Sequence, residues 1–349
     1  MTCEVTFLAV GNADSIVICA EDNNTVIVDI GNVSRLKRWL QQNHCKHIDR
    51  IYITHAHKDH CPQLEDLVLF LEDWIERGVR ELFLPYLLYK CAVEKLSKNK
   101  EKSEVGISEK QDRLKDAVER LYEWERRRKI SFLAGSRGAK IYQEGDLTIN
   151  ILHPGSLFVE KHLAESRAKG NEISLVLRLD YGNFSAMLLG DLEGAGLREC
   201  CEVLEPNELD ANVVKIPHHG AYPKNGEDLR TLLERIDAEI AVLSVGSTNN
   251  YGHVVPELFS LLCDLKNSDD RRLEQFICTE VTRTCVKSAS ERVVMQKKGL
   301  TERRLCAGNI TIAAEASGKW EFRQPSPESH EATIAEFKYS ACRGKADLG

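Results

Sequence analysis

Apolar and polar positions alternate in short blocks from the start of the chain. VTFLAVG, SIVICA, TVIVDIG and RIYITHA are runs rich in β-branched side chains, bounded by Gly, Asn and Asp, and they read as strands. Between the third and fourth, VSRLKRWLQQNH sets Leu36, Trp39 and Leu40 at helical spacing. QLEDLVLFLEDWIERG predicts a second helix and RELFLPY a further strand. Charge then rises over residues 87–139. KLSKNKEKSEVG reads there as a mobile loop and SEKQDRLKDAVERLYEWERRRKI as a helix, with Ser108 as N-cap and Leu114, Ala117, Val118, Leu121 and Trp124 on its apolar face.

Strands return in LTINILH, EISLVLRLDYG and FSAMLLGD. Helical patterns near GLRECCEVL, DLRTLLERI and PELFSLLCDL then alternate with ANVVKIPHHG, EIAVLSVG and QFICTEVT, and NITIAA and KWEFRQ add a β-rich end. Strands first alone, then alternating with helices, twice over, predict an α/β chain built as an αββα sandwich of two mixed β-sheets with outer helices. The expected organisation is one domain over residues 1–324, with a charged helical insertion at about 87–139 and a flexible tail at 325–349.

Composition narrows the partners without naming them. The chain has 349 residues, 42% hydrophobic and 29% charged, enough for a full core. A net charge of -7 provides no bulk basic surface for nucleic acid or an anionic membrane. Arg126, Arg127, Arg128 and Lys129 read first as a solvated helix end favoured by the macrodipole. The 12 cysteines form no CxxC pair, the N-terminus lacks a signal-peptide pattern, and no apolar run is long enough to cross a membrane, so a cytoplasmic protein with reduced thiols is expected.

The chemistry concentrates in ITHAHKDHCPQLEDL. His55 and His57 follow an apolar strand at a spacing that sends both to one side. The turn after them brings Asp59 and His60 toward a second point. Three of only 11 histidines at this spacing is a poor match to an accidental polar loop. It suits two divalent metal ions with nitrogen and oxygen ligands: zinc, with manganese or iron as alternatives. His218 and His219 end another apolar strand, as does His253 in NNYGH, while His44, His47, His162 and His330 read as surface or packing residues.

HAHKDH matches the HxHxDH signature of the metallo-β-lactamase fold, and the chain resembles that superfamily, in particular the soluble hydrolase domain of ComEC-type DNA-uptake competence proteins. VGNADSIVI, TVIVDIG, LLGDLE and VVKIPHHG carry the match, with NNYGH as a weaker fifth. The resemblance implies that Asp191 bridges both metals and that Asp14 and Asp29 support the histidine loop. It implies further that one of His218 and His219, with His219 favoured, completes the second metal site beside Asp59, His60 and Asp191. The PGHTxGH segment of many relatives is missing. His153 in ILHPG is the nearest candidate for the remaining ligand at the first metal, the rival being His55, His57 and Asp191 with water, near Asn171 and Ser174.

Two such metals activate water, so hydrolysis is the expected reaction, with Asp59, His218 and His253 as catalytic residues. The resemblance favours a phosphodiester substrate, in a nuclease or phosphodiesterase. Lys98, Lys100, Lys102 and Arg126 to Arg128 favour an anionic substrate near the entrance. The competing expectation is a metal-bearing scaffold or sensor that docks a protein partner through 87–139. A redox di-iron member ranks behind both, because no GxGxxG fingerprint follows a strand.

Overall fold

The computed structural model describes residues 2–20, 24–84, 109–164, 170–249, 251–285, 302–337, 340 and 342. The first sheet has eight strands in the order β15-β14-β1-β2-β3-β4-β5-β6. They are β1 (Thr2–Phe7), β2 (Ile16–Cys19), β3 (Thr25–Val28), β4 (Arg50–Tyr52), β5 (Glu81–Leu84), β6 (Ser131–Ala134), β14 (Ile310–Glu315) and β15 (Trp320–Gln324). The second has seven, in the order β13-β12-β11-β10-β9-β8-β7. These are β7 (Tyr142–Glu144), β8 (Leu147–His153), β9 (Val176–Tyr181), β10 (Phe184–Leu188), β11 (Val213–Lys215), β12 (Ile240–Leu243) and β13 (Gln275–Cys278). Each sheet starts antiparallel and turns parallel, from β3 through β6 in one and from β10 through β13 in the other.

Burial on both faces explains why these strands read as nearly unbroken apolar runs. Ile16, Ile18, Val26 and Val28 point between the sheets, where they meet Leu177, Leu179, Ala186, Leu188, Val213 and Val242. The residues between them point outward. Val17 and Ile27 pack with Ile51 under α1 (Val33–Gln42), α2 (Leu64–Ile75) and α3 (Glu109–Arg126), through Leu36, Leu40, Leu67, Leu71, Trp74, Ala117 and Leu121. Helix α4 (Ser156–Ala164) follows β8. On the outer face of the second sheet, Met187, Val214 and Ala241 pack against Leu197 of α5 (Gly194–Val203) and Leu209 of the short α6 (Pro206–Leu209). Leu229, Leu232 and Leu233 of α7 (Gly226–Ile236) and Leu258 and Leu262 of α8 (Pro256–Lys266) complete that layer. The result is helices, sheet, sheet, helices: the αββα sandwich.

Two parts of the expected organisation need correction. The charged segment is no simple insertion, because β5, α3 and β6 form a parallel crossover and β6 extends the first sheet. Its four-residue strand, with only half-buried Phe132 and Leu133, has little apolar patterning to reveal it. Residues 87–108, with Lys98, Lys100, Lys102 and Ser108, lie outside the described residues. The tail also departs from expectation. Pro327–Ala335 is a helix, α9, N-capped by the Ser326 hydroxyl, and it buries His330 and Ile334.

The site forms where strands of both sheets end at their carboxyl sides, and backbone bonds lock the loops there. Asp14 N–H donates to the Asp59 carbonyl at 3.0 Å, Ile30 N–H to the His60 carbonyl at 2.8 Å, and Gly31 N–H to the Asp14 carbonyl at 2.8 Å. Gly31 has no room for a side chain: a Cβ would collide with the Asp59 carbonyl and lie 2.7 Å from Ala13 Cβ. Gly31→Ala is expected to cost about 1–3 kcal/mol, as overpacking does, read as a lower urea midpoint with unchanged slope.

Candidate metal centre

The turn after β3 sets the geometry. Asp29 adopts a left-handed backbone, φ 63°, uncommon outside glycine but tolerated by aspartate. Its carboxylate accepts hydrogen bonds from Thr54 N–H and Thr54 Oγ1, each at 2.7 Å, and from His60 Nδ1 at 2.6 Å. With Nδ1–H held this way, His60 presents Nε2 to Asp191 Oδ1 at 3.0 Å and to His219 Nε2 at 3.2 Å. His219 is fixed by the same device, its Nδ1–H donating to the Ser244 carbonyl at 2.9 Å.

This juxtaposition tests whether the residues fit a metal. Two Nε2 lone pairs face each other and a carboxylate oxygen, an arrangement that is repulsive unless a proton or a cation lies between them. Without metal a proton serves. Burial pushes His60 down, but Asp191 and Asp29 outweigh it and hold the ring well above its usual range. A separation near 3.2 Å is also that of two nitrogens on one tetrahedral ion, about 3.3 Å for bonds near 2.0–2.1 Å. The ligand atoms of Asp14, His60, Asp191 and His219 lie within 4.8 Å of one another, as do those of His55, Asp59 and His60. His55 is buried, its Nε2 has no hydrogen-bond partner and stands 3.8 Å from Asp191 Oδ2, and burial keeps it neutral with a lone pair to offer. The donor set fits two nitrogen- and oxygen-loving divalent ions.

The remaining expected residues surround this group at different depths. Asp191 is buried, follows β10, and has its N–H bonded to Ser174 Oγ at 3.0 Å. Burial works against its charge, yet His60 and His219 hold it well below the usual carboxylate range. Asp59 Oδ2 stands 3.5 Å from His219 Nε2. Burial raises Asp59, but the His219 hydrogen bond and the His60 charge prevail and leave it ionised with a pKa of about 2. His57 is exposed, its ring centre 4.7 Å from that of His55, and it stands at the mouth rather than inside either close-set group. His218 borders those groups, with Nε2 3.9 Å from Asp191 Oδ2 and 3.5 Å from the Asn171 amide, and Nδ1 3.2 Å from Glu193. His253 sits at the rim, its ring centre 5.6 Å from that of His218.

The structure places His153 outside both close-set groups. A register shift in the β8–β9 pairing turns it inward, where it is fully buried. Nδ1 lies 2.5 Å from Glu199 Oε2 and Nε2 3.0 Å from the Glu172 carbonyl, so both nitrogens are engaged away from the centre. It braces the turn 170–173 that carries Asn171. Arg126 and Arg127, expected near the entrance, have acidic partners of their own. Arg126 and Arg127 pair with Glu123, and Lys129 with Glu76 at the far end of α2. The 12-residue helix α2 puts that end about 18 Å from the histidine turn that precedes it.

Lys215 went unread in the sequence. It is fully buried, donates to the Gly190 carbonyl at 2.8 Å, forms an ion pair with Asp14, and lies 3.9 Å from Asp191 Oδ1. Burial disfavours its charge, but Asp14 and Asp191 raise it above the ordinary lysine value. The available signal was a lone lysine inside the apolar run VVKIP. Asp14, read as a support, belongs to one of the two close-set groups.

If His153 braces and does not ligate, His153→Gln keeps its metal content by elemental analysis. It loses about 1–3 kcal/mol of stability in urea, because buried polar groups lose a partner.

Comparison with known proteins adds to this geometry. The family profile of the Anti-Pycsar protein Apyc1 matches residues 5–123. ComE operon protein 3 of Bacillus subtilis (strain 168) is 25% identical over 279 residues, covering 74% of this chain, which spans only 30% of that protein's length. Solved structures that resemble the chain include YhfI of Bacillus subtilis, a metallo-beta-lactamase fold protein (TM-score 0.43, 10% identity, 79% of this chain and 95% of that one). A long form RNase Z from yeast (0.42, 12%, 79% and 40%) and Zn(2+)-bound PqqB from Methylobacterium extorquens (0.40, 12%, 71% and 81%) are others. Two mixed sheets between helices, with HAHKDH at the carboxyl ends of their strands, give this chain the metallo-β-lactamase fold, and its sequence is similar to ComE operon protein 3.

Proposed function

We propose that the protein is a metal-dependent hydrolase that cleaves phosphodiesters with two divalent ions, zinc first among them. The observation that carries this reading is the convergence of His60 Nε2, His219 Nε2 and Asp191 Oδ1 from both sheets at 3.0–3.7 Å, with a bare His55 nitrogen beside them. His55, His57, Asp59, His60, Asp191 and His219 would hold the ions, which supply charge neutralisation and an activated water nucleophile when bound. Asp59, ionised and reaching the mouth, accepts a hydrogen bond that orients the attacking water.

The leaving group needs a proton. Burial lowers His253 to a pKa of about 4, helped by the charges of His218 and His219, so at neutral pH this ring is uncharged and serves as a substrate contact. His218 behaves oppositely: burial lowers it, but its hydrogen bond to Glu193 and the Asp191 charge raise it above the usual histidine value. His218 is thus the better acid. Among the described residues no helix is long and apolar enough to cross a membrane.

Purified protein should carry two metal equivalents and hydrolyse bis-p-nitrophenyl phosphate. Asp191→Ala should lose metal and slow turnover by about a hundredfold or more, whereas tight metal binding without turnover on any phosphodiester would favour a scaffold. Because the acid must be protonated, kcat should fall as pH rises through the His218 pKa. Glu193→Gln removes the partner that raises it, so a pH profile of this variant should show the falling limb at lower pH.

A further inference from the structure

The parallel strands of the second sheet deliver site residues in sequence: β11 leads to His218 and His219, β12 to the loop ending at His253, and β13 to Arg283. Asn249 fixes the middle loop. Its Nδ2 donates to the carbonyls of Gly246 at 2.5 Å and His253 at 2.8 Å, and its Oδ1 accepts from His253 N–H at 2.9 Å. Gly252, at φ +76°, lies directly under the Arg283 guanidinium. A Cβ there would run into Nη1 and sit 2.8 Å from Cζ, so only glycine lets the arginine lie across this loop.

Arg283 also differs from its neighbours in what it meets. Arg35 and Arg303 both approach Glu280, and Arg304 pairs with Glu336 and lies over Phe337. Among the described residues Arg283 has no carboxylate partner and makes no hydrogen bond, although it is half-buried and its charge is felt at His253. A guanidinium lying against Gly252 beside a histidine rim, with no carboxylate partner among the described residues, is suited to an anion from solution, and its planar fork matches two phosphate oxygens. It is two side chains out from the centre, since His253 neighbours His218, whose Nε2 is 3.9 Å from Asp191.

We propose that Arg283 binds a second phosphate of the substrate, flanking the one that is cleaved, and so selects phosphodiesters that carry more than one phosphate. This rests on the phosphodiesterase reading above. The test compares the thymidine dinucleotide bearing a 5′-phosphate with the same dinucleotide lacking it, on metal-loaded wild type, Arg283→Gln and Arg283→Lys. Arg283→Gln should raise KM for the phosphorylated dinucleotide about tenfold or more and leave KM for the other within about twofold. Arg283→Lys should fall between. Equal losses on both substrates, or no loss on either, would overturn the proposal. Should wild type cleave neither, the hydrolase reading fails separately. Calorimetry with the phosphorylated dinucleotide then decides: binding that weakens in Arg283→Gln supports the assignment, and equal binding defeats it.

Discussion

Two imidazole lone pairs and a carboxylate oxygen aimed at one another on buried side chains form the constraint on which this structure depends. Such a group has no favourable state without positive charge, and the chain supplies charge only in part. A proton on His60 relieves the metal-free arrangement, and a divalent ion would displace it, which ties metal affinity to pH. The Lys215 ammonium beneath the cluster offsets Asp14 and Asp191 and so steadies the two carboxylates. The buried charges are therefore matched in pairs around an opening for a cation, the condition under which burial of ionised groups is tolerated.

The surrounding fold serves that opening. Asp29 in its left-handed turn sets the tautomer of His60, and the Ser244 carbonyl sets that of His219, one device from each sheet. Such outer partners orient ligands and raise their basicity. Glu199 and Glu172 do comparable work one step further out by gripping His153, so that the turn with Asn171 stays against His218.

What could be read from residues alone follows from how local each signal is. HAHKDH lies within six positions, and the apolar runs around it are buried on both faces, so the sandwich and the histidine turn were legible together. Asp191 and His219 became readable because each ends a strong strand. Lys215 was not, since a lysine in an apolar run looks like noise until the ion pair with Asp14, two hundred residues away in the chain, is seen. His153 misled for the converse reason: a histidine at a strand end resembles a ligand, and only the register shift and Glu199 reveal its engagement. Strand β6 and helix α9 escaped because short elements with few apolar positions carry little periodicity.

Each sheet runs antiparallel first and parallel after, as though one plan had been used twice. The close-set group of Asp14, His60, Asp191 and His219 draws its members from both halves, so it exists only where the two meet. An ion held there would act as a rivet between layers, and its occupancy would report whether the two halves have docked.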